Sequence, residues 1–159
     1  MWGPLFGTRA QTWADTWEGP EGWGAGVYEH VLHRADVGPG TAVLDCGCGA
    51  GRFVRLAADR GAAVAGIDAA SELIEIAASR TPEADLRTGD FVSLPWADGS
   101  FDLVTGFSTF QFAGDHVRAL AEARRVSRGD VWVVVPTRLA ESAIPRVFAW
   151  AQARANLPG

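Results

Sequence analysis

The chain has 159 residues, enough for one domain with a single buried core, and its 48% hydrophobic and 21% charged residues are typical of a soluble globular protein. A formal net charge of −5, with fourteen arginines scattered as a solvated surface, argues against a nucleic-acid partner. No apolar run is long enough to span a bilayer, and the opening MWGPLFGTRA lacks the basic and apolar regions of a secretory signal.

Residues 1–40 are dense in Trp and Gly and read as an N-terminal helical segment lying over the rest, residues 41–159. A helix is expected from near Gly24 to about Ala35, stopped by Gly38-Pro39-Gly40. Thr41–Cys46 (TAVLDC) is a short apolar run ending in glycines, as a buried strand does. Arg52–Arg60 then places Phe53, Leu56 and Ala57 on one helical face, closed by Gly61. The rhythm repeats with a second strand at Ala63–Asp68, a helix at Ser71–Arg80 and a weaker third strand at Ala84–Thr88. Phe101–Phe107 is a fourth strand after the turn Ala97–Ser100, Asp115–Val126 a helix, and Val131–Val135 a fifth strand. A last helix is expected from about Ile144 to Ala155. Strands alternating with helices predict an α/β fold, a mostly parallel sheet with helices on both faces, with ligands bound at the strands' C-terminal edge.

The loop Asp45-Cys46-Gly47-Cys48-Gly49-Ala50-Gly51 sits at that edge. Its glycines allow a sharp turn into the helix and close approach of a ligand, and its amides are expected to hold the ligand's carboxylate end or sugar region. A dinucleotide fingerprint would need glycine at Arg52, and a pyrophosphate would meet Asp45 as like charge. Cys46 and Cys48 lie too close for a disulfide framework and lack two further zinc ligands, which suits a reducing cytoplasm. Asp68 ends the second strand about twenty residues on, where a carboxylate accepts both ribose hydroxyls or caps the following helix. Asp90, followed by Phe91, suits an adenine amino group and ring, or a turn residue and a core residue.

With those residues in view, the chain resembles the class I S-adenosylmethionine-dependent methyltransferases, most closely the ubiquinone/menaquinone-biosynthesis-like small-molecule members. The stretches that carry the resemblance are VLDCGCGAGRF (43–53), AGIDAASELIEIA (65–77), TGDFVSLPWADGSFDLVTGFSTFQF (88–112) and ALAEARRV (119–126), in the family's order. The resemblance implies a Rossmann-like sheet and S-adenosylmethionine as cofactor, with S-adenosylhomocysteine as product. It implies that Asp45, Gly47, Gly49 and Gly51 surround the methionine part and Asp68 the ribose, with Cys48 and Ala69 also among the cofactor-binding residues. Leu73, Asp90 and Phe91 would meet the adenine, and Phe107 and Ser108 the methyl-transfer end, with Gln111 nearby.

Methyl transfer to a small-molecule acceptor is then an in-line displacement, to which the protein contributes alignment and exclusion of water. Phe107, Phe110, Phe112 and the N-terminal tryptophans are candidate aromatic faces for a sulfonium, or simple core. His30, His33 and His116 are the histidines available as bases, and none has a compelling context; no catalytic residue is assigned, and no metal set is visible. Two features depart from the family. Ser127-Arg128-Gly129-Asp130 stands where a Pro-Gly-Gly turn is usual, and the family's antiparallel strands six and seven have no counterpart before Gly159. The resemblance thus implies a domain truncated after strand five, whose apolar edge Pro136–Gly159 or a second subunit would cover. An idle cofactor-binding or interaction module is the alternative to an active enzyme, and a nicotinamide-dependent oxidoreductase is disfavoured by Asp45 and Arg52.

Overall fold

A computed structural model describes residues 3–19, 22 and 24–134. Two short helices, α1 (Gly3–Gly7) and α2 (Ala10–Thr16), precede α3 (Ala25–Arg34). Then β1 (Ala42–Cys46), α4 (Arg52–Ala58), β2 (Ala63–Asp68), α5 (Ser71–Arg80) and β3 (Asp85–Thr88) alternate. They are followed by β4 (Phe101–Phe107), a 3₁₀ turn at Phe110–Phe112, α6 (His116–Val126) and β5 (Ser127–Val134). The expected strand beyond Val134, the segment Pro136–Gly159 and the helix from Ile144 lie outside the described residues.

All pairings are parallel, in the order β3-β2-β1-β4-β5. The strands bury both faces because consecutive side chains alternate between two apolar layers. Val43, Val64 and Leu103 join Tyr28, Leu32, Phe53 and Val54 beneath α3 and α4. Leu44, Ala65, Ile67 and Val104 join Phe101, Phe110, Ala119 and Ala123 beneath α6. In β5 the alternation continues, with Val131 and Val133 packed on one layer and Trp132 and Val134 on the other.

β5 differs from expectation in starting at Ser127, directly after α6, so residues 127–130 are strand and not a turn. Ser127 is already extended, at φ −89° and ψ 132°, and pairs with Phe101, with a register irregularity before Leu103. Gly129 makes this possible: a Cβ there would collide with the Asp102 carbonyl. Asp115 caps α6 by accepting from the Arg118 N–H at 3.0 Å, the carboxylate placement a helix start favours.

The strand order places the site. From β1 the chain moves outward through β2 and β3, then returns to the other side of β1 for β4 and β5. The reversal leaves a crevice between the C-terminal ends of β1 and β4, where the flanking loops diverge. Among the described residues no helix is long and apolar enough to cross a membrane.

Candidate functional site

Gly47, Gly49 and Gly51 all adopt left-handed backbone, with φ of +70°, +57° and +81°. Side chains there would be strained, and the space is already used by protein. A Cβ on Gly47 would meet the Thr109 side chain, one on Gly49 the Glu18 carboxylate, and one on Gly51 would lie 2.7 Å from the Ala77 Cβ.

The amides of the loop are likewise engaged. Gly47 and Cys48 both donate to the Ile67 carbonyl, at 2.7 and 3.1 Å, and Gly51 to the Cys48 carbonyl at 3.0 Å. Gly49 N–H donates to Asp68 Oδ2 at 3.0 Å. Ala50 N–H donates to Glu18 Oε1 at 2.8 Å, and Arg52 N–H to Glu18 Oε2 at 3.1 Å. The loop is expected to hold a ligand's carboxylate end or its sugar region; here the Ala50 and Arg52 amides are held by a carboxylate from the N-terminal segment, while Gly47, Cys48 and Gly49 line a cavity.

Glu18 is 6% exposed and is held from three directions. Trp13 Nε1 donates to its Oε1 at 2.8 Å. Arg80, at the end of α5, lies 3.5 Å from its Oε2 and also donates to the carbonyls of Ala50 at 3.0 Å and Ala14 at 3.1 Å. Burial raises the Glu18 pKa, opposed by the Ala50 and Arg52 amides, Trp13 and Arg80. Every neighbour named here is a donor, so the ionised carboxylate is the form this environment solvates.

Asp45 and Asp68 complete an acidic rim. Asp45, 3% exposed, accepts from Thr105 Oγ1 across the β1–β4 pairing at 2.8 Å. Burial pushes its carboxyl up to about 7; the Thr105 bond opposes the rise and the charges of Glu18 and Asp68 add to it. Asp68 Oδ1 accepts from the Ala70 N–H at 2.9 Å, so the carboxylate spans the glycine loop and the start of α5. Burial raises its pKa as well, opposed by the amides of Ala70, Gly49 and Ala69.

A cavity of about 90 Å³ lies between these carboxylates and the tip of β4. Phe6, Trp13, Tyr28, Phe107 and Phe112 supply aromatic wall, and Ser108 and Thr109 polar wall; no basic side chain lines it among the described residues. Tyr28 stands edge-on to Phe107, with ring centroids 4.7 Å apart. Burial and the charges of Glu18 and Asp45 push its hydroxyl pKa strongly upward, so it is a donor and not a base. Ser108 holds a left-handed φ of +53°, and its hydroxyl oxygen is buried without a hydrogen-bond partner among the described residues. A strained residue with an orphaned polar atom on a cavity wall is a common mark of a ligand-contacting position.

Residues 44–135 match the model of the methyltransferase domain family. The chain belongs to that family. The chain is 32% identical over 126 residues to a malonyl-[acyl-carrier protein] O-methyltransferase of Serratia marcescens, covering 79% of this chain and 49% of that one. It is 36% identical over 98 residues to a demethylmenaquinone methyltransferase of Renibacterium salmoninarum, covering 62% and 41%. The fold matches a TehB-like SAM-dependent methyltransferase from Corynebacterium glutamicum with a TM-score of 0.59 at 30% identity, covering 67% of this chain and 60% of that one. The chain thus spans about half the length, or less, of these two curated relatives.

Within this methyltransferase domain the structure brings together Asp45, Gly47, Cys48, Gly49, Asp68, Leu73, Phe107 and Ser108 around one cavity. Gly51 and Ala69 lie beside it in the loops, without lining it. Asp90 is exposed in its own turn, where its Oδ1 accepts from the Val92 N–H at 3.0 Å. Phe91 is buried in the α6-side core, 5.3 Å from the Phe110 ring. Phe110 is core too, whereas Phe112 lines the cavity. His30 and His33 are exposed on α3, and His116 Nε2 lies 3.2 Å from the Gln111 carbonyl oxygen.

Glu18 and Tyr28 went unread in the sequence, and so did the role of Arg80. Glu18 acts on backbone amides 32 and 34 residues away, a partnership that leaves no trace in local residue pattern. The reading of the arginines as solvated surface is corrected for Arg80, which joins α2, the glycine loop and Glu18.

Proposed function

We propose that the domain binds S-adenosylmethionine in this cavity and transfers its methyl group to a small, largely apolar acceptor. The observation that carries the reading is the lining itself: carboxylates at the tips of β1 and β2, aromatic faces, and no basic side chain among the described lining residues. Such a wall favours a nucleoside joined to a cation over one joined to phosphate. The donor set fits the cofactor: Asp68 has acceptor capacity left for two ribose hydroxyls, and Ser108 an unused hydroxyl at the opposite end.

In this reading Asp68 holds the ribose, and Leu73 packs beside the base. Asp90 lies beyond Thr88, whose strand pairs with Asp68, so a ligand laid across the tips of β1, β2 and β3 meets Asp45, Asp68 and Asp90 in order. Asp45 sets negative charge beside the methionine end. The bound cofactor supplies an activated methyl on a sulfonium. Phe107, Phe112 and Tyr28 exclude water from the transfer end, and Ser108 orients what arrives there. The cavity is well below the roughly 300–1,000 Å³ of ligand pockets. Phe6, on the short helix α1, therefore acts as a lid-side wall that moves outward to admit the cofactor, while Glu18 stays on the glycine loop.

The test is titration calorimetry with S-adenosylmethionine, S-adenosylhomocysteine and NAD, followed by assay of S-adenosylhomocysteine release with apolar hydroxyl, carboxyl and amine acceptors. Micromolar binding of the first two without NAD, and turnover with one acceptor class, is the expected result. Binding of NAD alone would overturn the assignment, and binding without turnover across the acceptors would leave a cofactor-binding module.

A further inference from the structure

We infer that Glu18 is a specificity-determining residue: its carboxylate fills the anion position of the glycine loop and so bars phosphate-bearing adenine ligands from the site. The inference rests on the functional reading above, in that it takes the adenosine end to lie at Asp68.

Six consecutive N–H groups, from Gly47 to Arg52, all have acceptors, and four of those acceptors are fixed parts of the sheet edge: the Ile67 carbonyl twice, the Cys48 carbonyl and Asp68. The other two, on Ala50 and Arg52, donate to Glu18. Glu18 lies outside the parallel sheet, in the segment between α2 and α3; its carboxylate reaches the loop amides, and its backbone carbonyl accepts from Arg52 Nη1 at 3.4 Å. A turn of successive N–H groups next to an adenosine-binding strand tip is otherwise a phosphate cradle. Here it is filled by a carboxylate of the chain itself. Gly49 is bare where Glu18 Oε1 rests, so this glycine serves the internal anion as directly as any ligand. Trp13 and Arg80 hold the carboxylate in place from the other side.

Two effects then act against a phosphate: the amides are taken, and a like charge stands where it would sit. A cofactor whose tail is a cation meets neither obstacle. Arg80 lies beside the Glu18 carboxylate, so removing the carboxylate leaves a cation and the Ala50 and Arg52 amides without that anion, next to Gly49 on the cavity wall.

The experiment compares wild type, Glu18→Ala and Glu18→Gln by calorimetry with adenosine and with ADP, thermal melting reporting the fold. Wild type is expected to bind adenosine more tightly than ADP. In Glu18→Ala the ADP-to-adenosine affinity ratio rises by about tenfold or more, the size of one charge-assisted hydrogen bond gained. Glu18→Gln, which keeps one acceptor and loses the charge, falls between. A ratio unchanged in both variants while adenosine still binds would overturn the inference. So would parallel loss of both ligands in a folded Glu18→Gln, because that pattern belongs to a residue that merely braces the loop. If wild type binds neither adenosine nor S-adenosylmethionine, the functional reading itself fails, a result separate from these.

Discussion

Replacing Asp68 with alanine is the sharpest single perturbation of the site. The carboxylate accepts from the Gly49 amide at 3.0 Å through Oδ2 and from the Ala70 amide at 2.9 Å through Oδ1. Each oxygen keeps a lone pair, giving two acceptors for the two ribose hydroxyls of a bound adenosine. Hydrogen bonds to a charged group contribute about 1.5–3 kcal/mol each, and the half-buried strand tip places these near the lower end. Loss of two then costs about 3 kcal/mol of binding, or about a hundredfold in Kd. Asp68→Asn keeps one acceptor but turns an NH₂ toward a backbone N–H, and about tenfold is expected. The two amides left behind regain water at the loop surface, so the thermal midpoint falls by only a few degrees, about 1–2 kcal/mol. The assay is calorimetric titration with S-adenosylhomocysteine at fixed pH, beside a thermal melt. A folded Asp68→Ala protein whose Kd lies within about threefold of wild type would refute the reasoning, since a ribose held by this carboxylate cannot be indifferent to its removal.

Other consequences follow from the same structure. Because the Asp45 carboxyl is pushed up to about 7, its ionisation adds negative charge beside the cofactor's cationic end as pH rises through neutrality. Affinity for S-adenosylmethionine should climb across that range, and Asp45→Asn should flatten the profile; the same titrations run from acid to mildly alkaline pH check it. The folded carboxyl keeps its proton between the unfolded value of 3.8 and about 7, so Asp45's contribution to stability falls as pH rises through that window. At the acid end the sign reverses. Arg128 lowers Asp102 to about 2, and Arg125 lowers Glu122 to about 2. Their contributions are full above the unfolded values of 3.8 and 4.5 and vanish as pH falls toward about 2, so Asp102→Asn and Glu122→Gln should shallow the acid limb of a denaturation series. Gly51→Ala forces an L side chain into φ +81° and puts its Cβ 2.7 Å from that of Ala77, which is fully buried. A loss of about 2–4 kcal/mol is expected in urea unfolding, and Ala77→Gly in the same chain should restore only the part due to the collision.

Much of the fold was legible because it is written in local pattern. Short apolar runs ending at Cys46, Asp68 and Phe107 read as strands, since a strand buried on both faces needs mostly apolar sequence, and Gly40, Gly61 and Gly99 stand just before their starts. The acidic strand tips and the glycine loop were legible for the same reason: spacing along the chain fixes their order along the sheet edge. Residues 127–130 misled because Arg, Gly and Asp signal a turn, whereas pairing with β4 holds them extended. Helices α1 and α2, of 5 and 7 residues, are too short for a 3.6-residue period to declare itself.

The sequence by itself determined which strands form, that they lie parallel, and that Asp45, Asp68 and Asp90 stand at consecutive strand ends. Only the tertiary structure decided which of them face the cavity, that Phe110 and Phe91 turn into the core while Phe112 turns out, and that Glu18 reaches across to the glycine loop. The physical reason is that period and punctuation act between near neighbours, while a carboxylate and the amides it satisfies can be any distance apart in the chain. A backbone N–H is common to every residue but proline, so nothing in the letters announces which side chain will claim it.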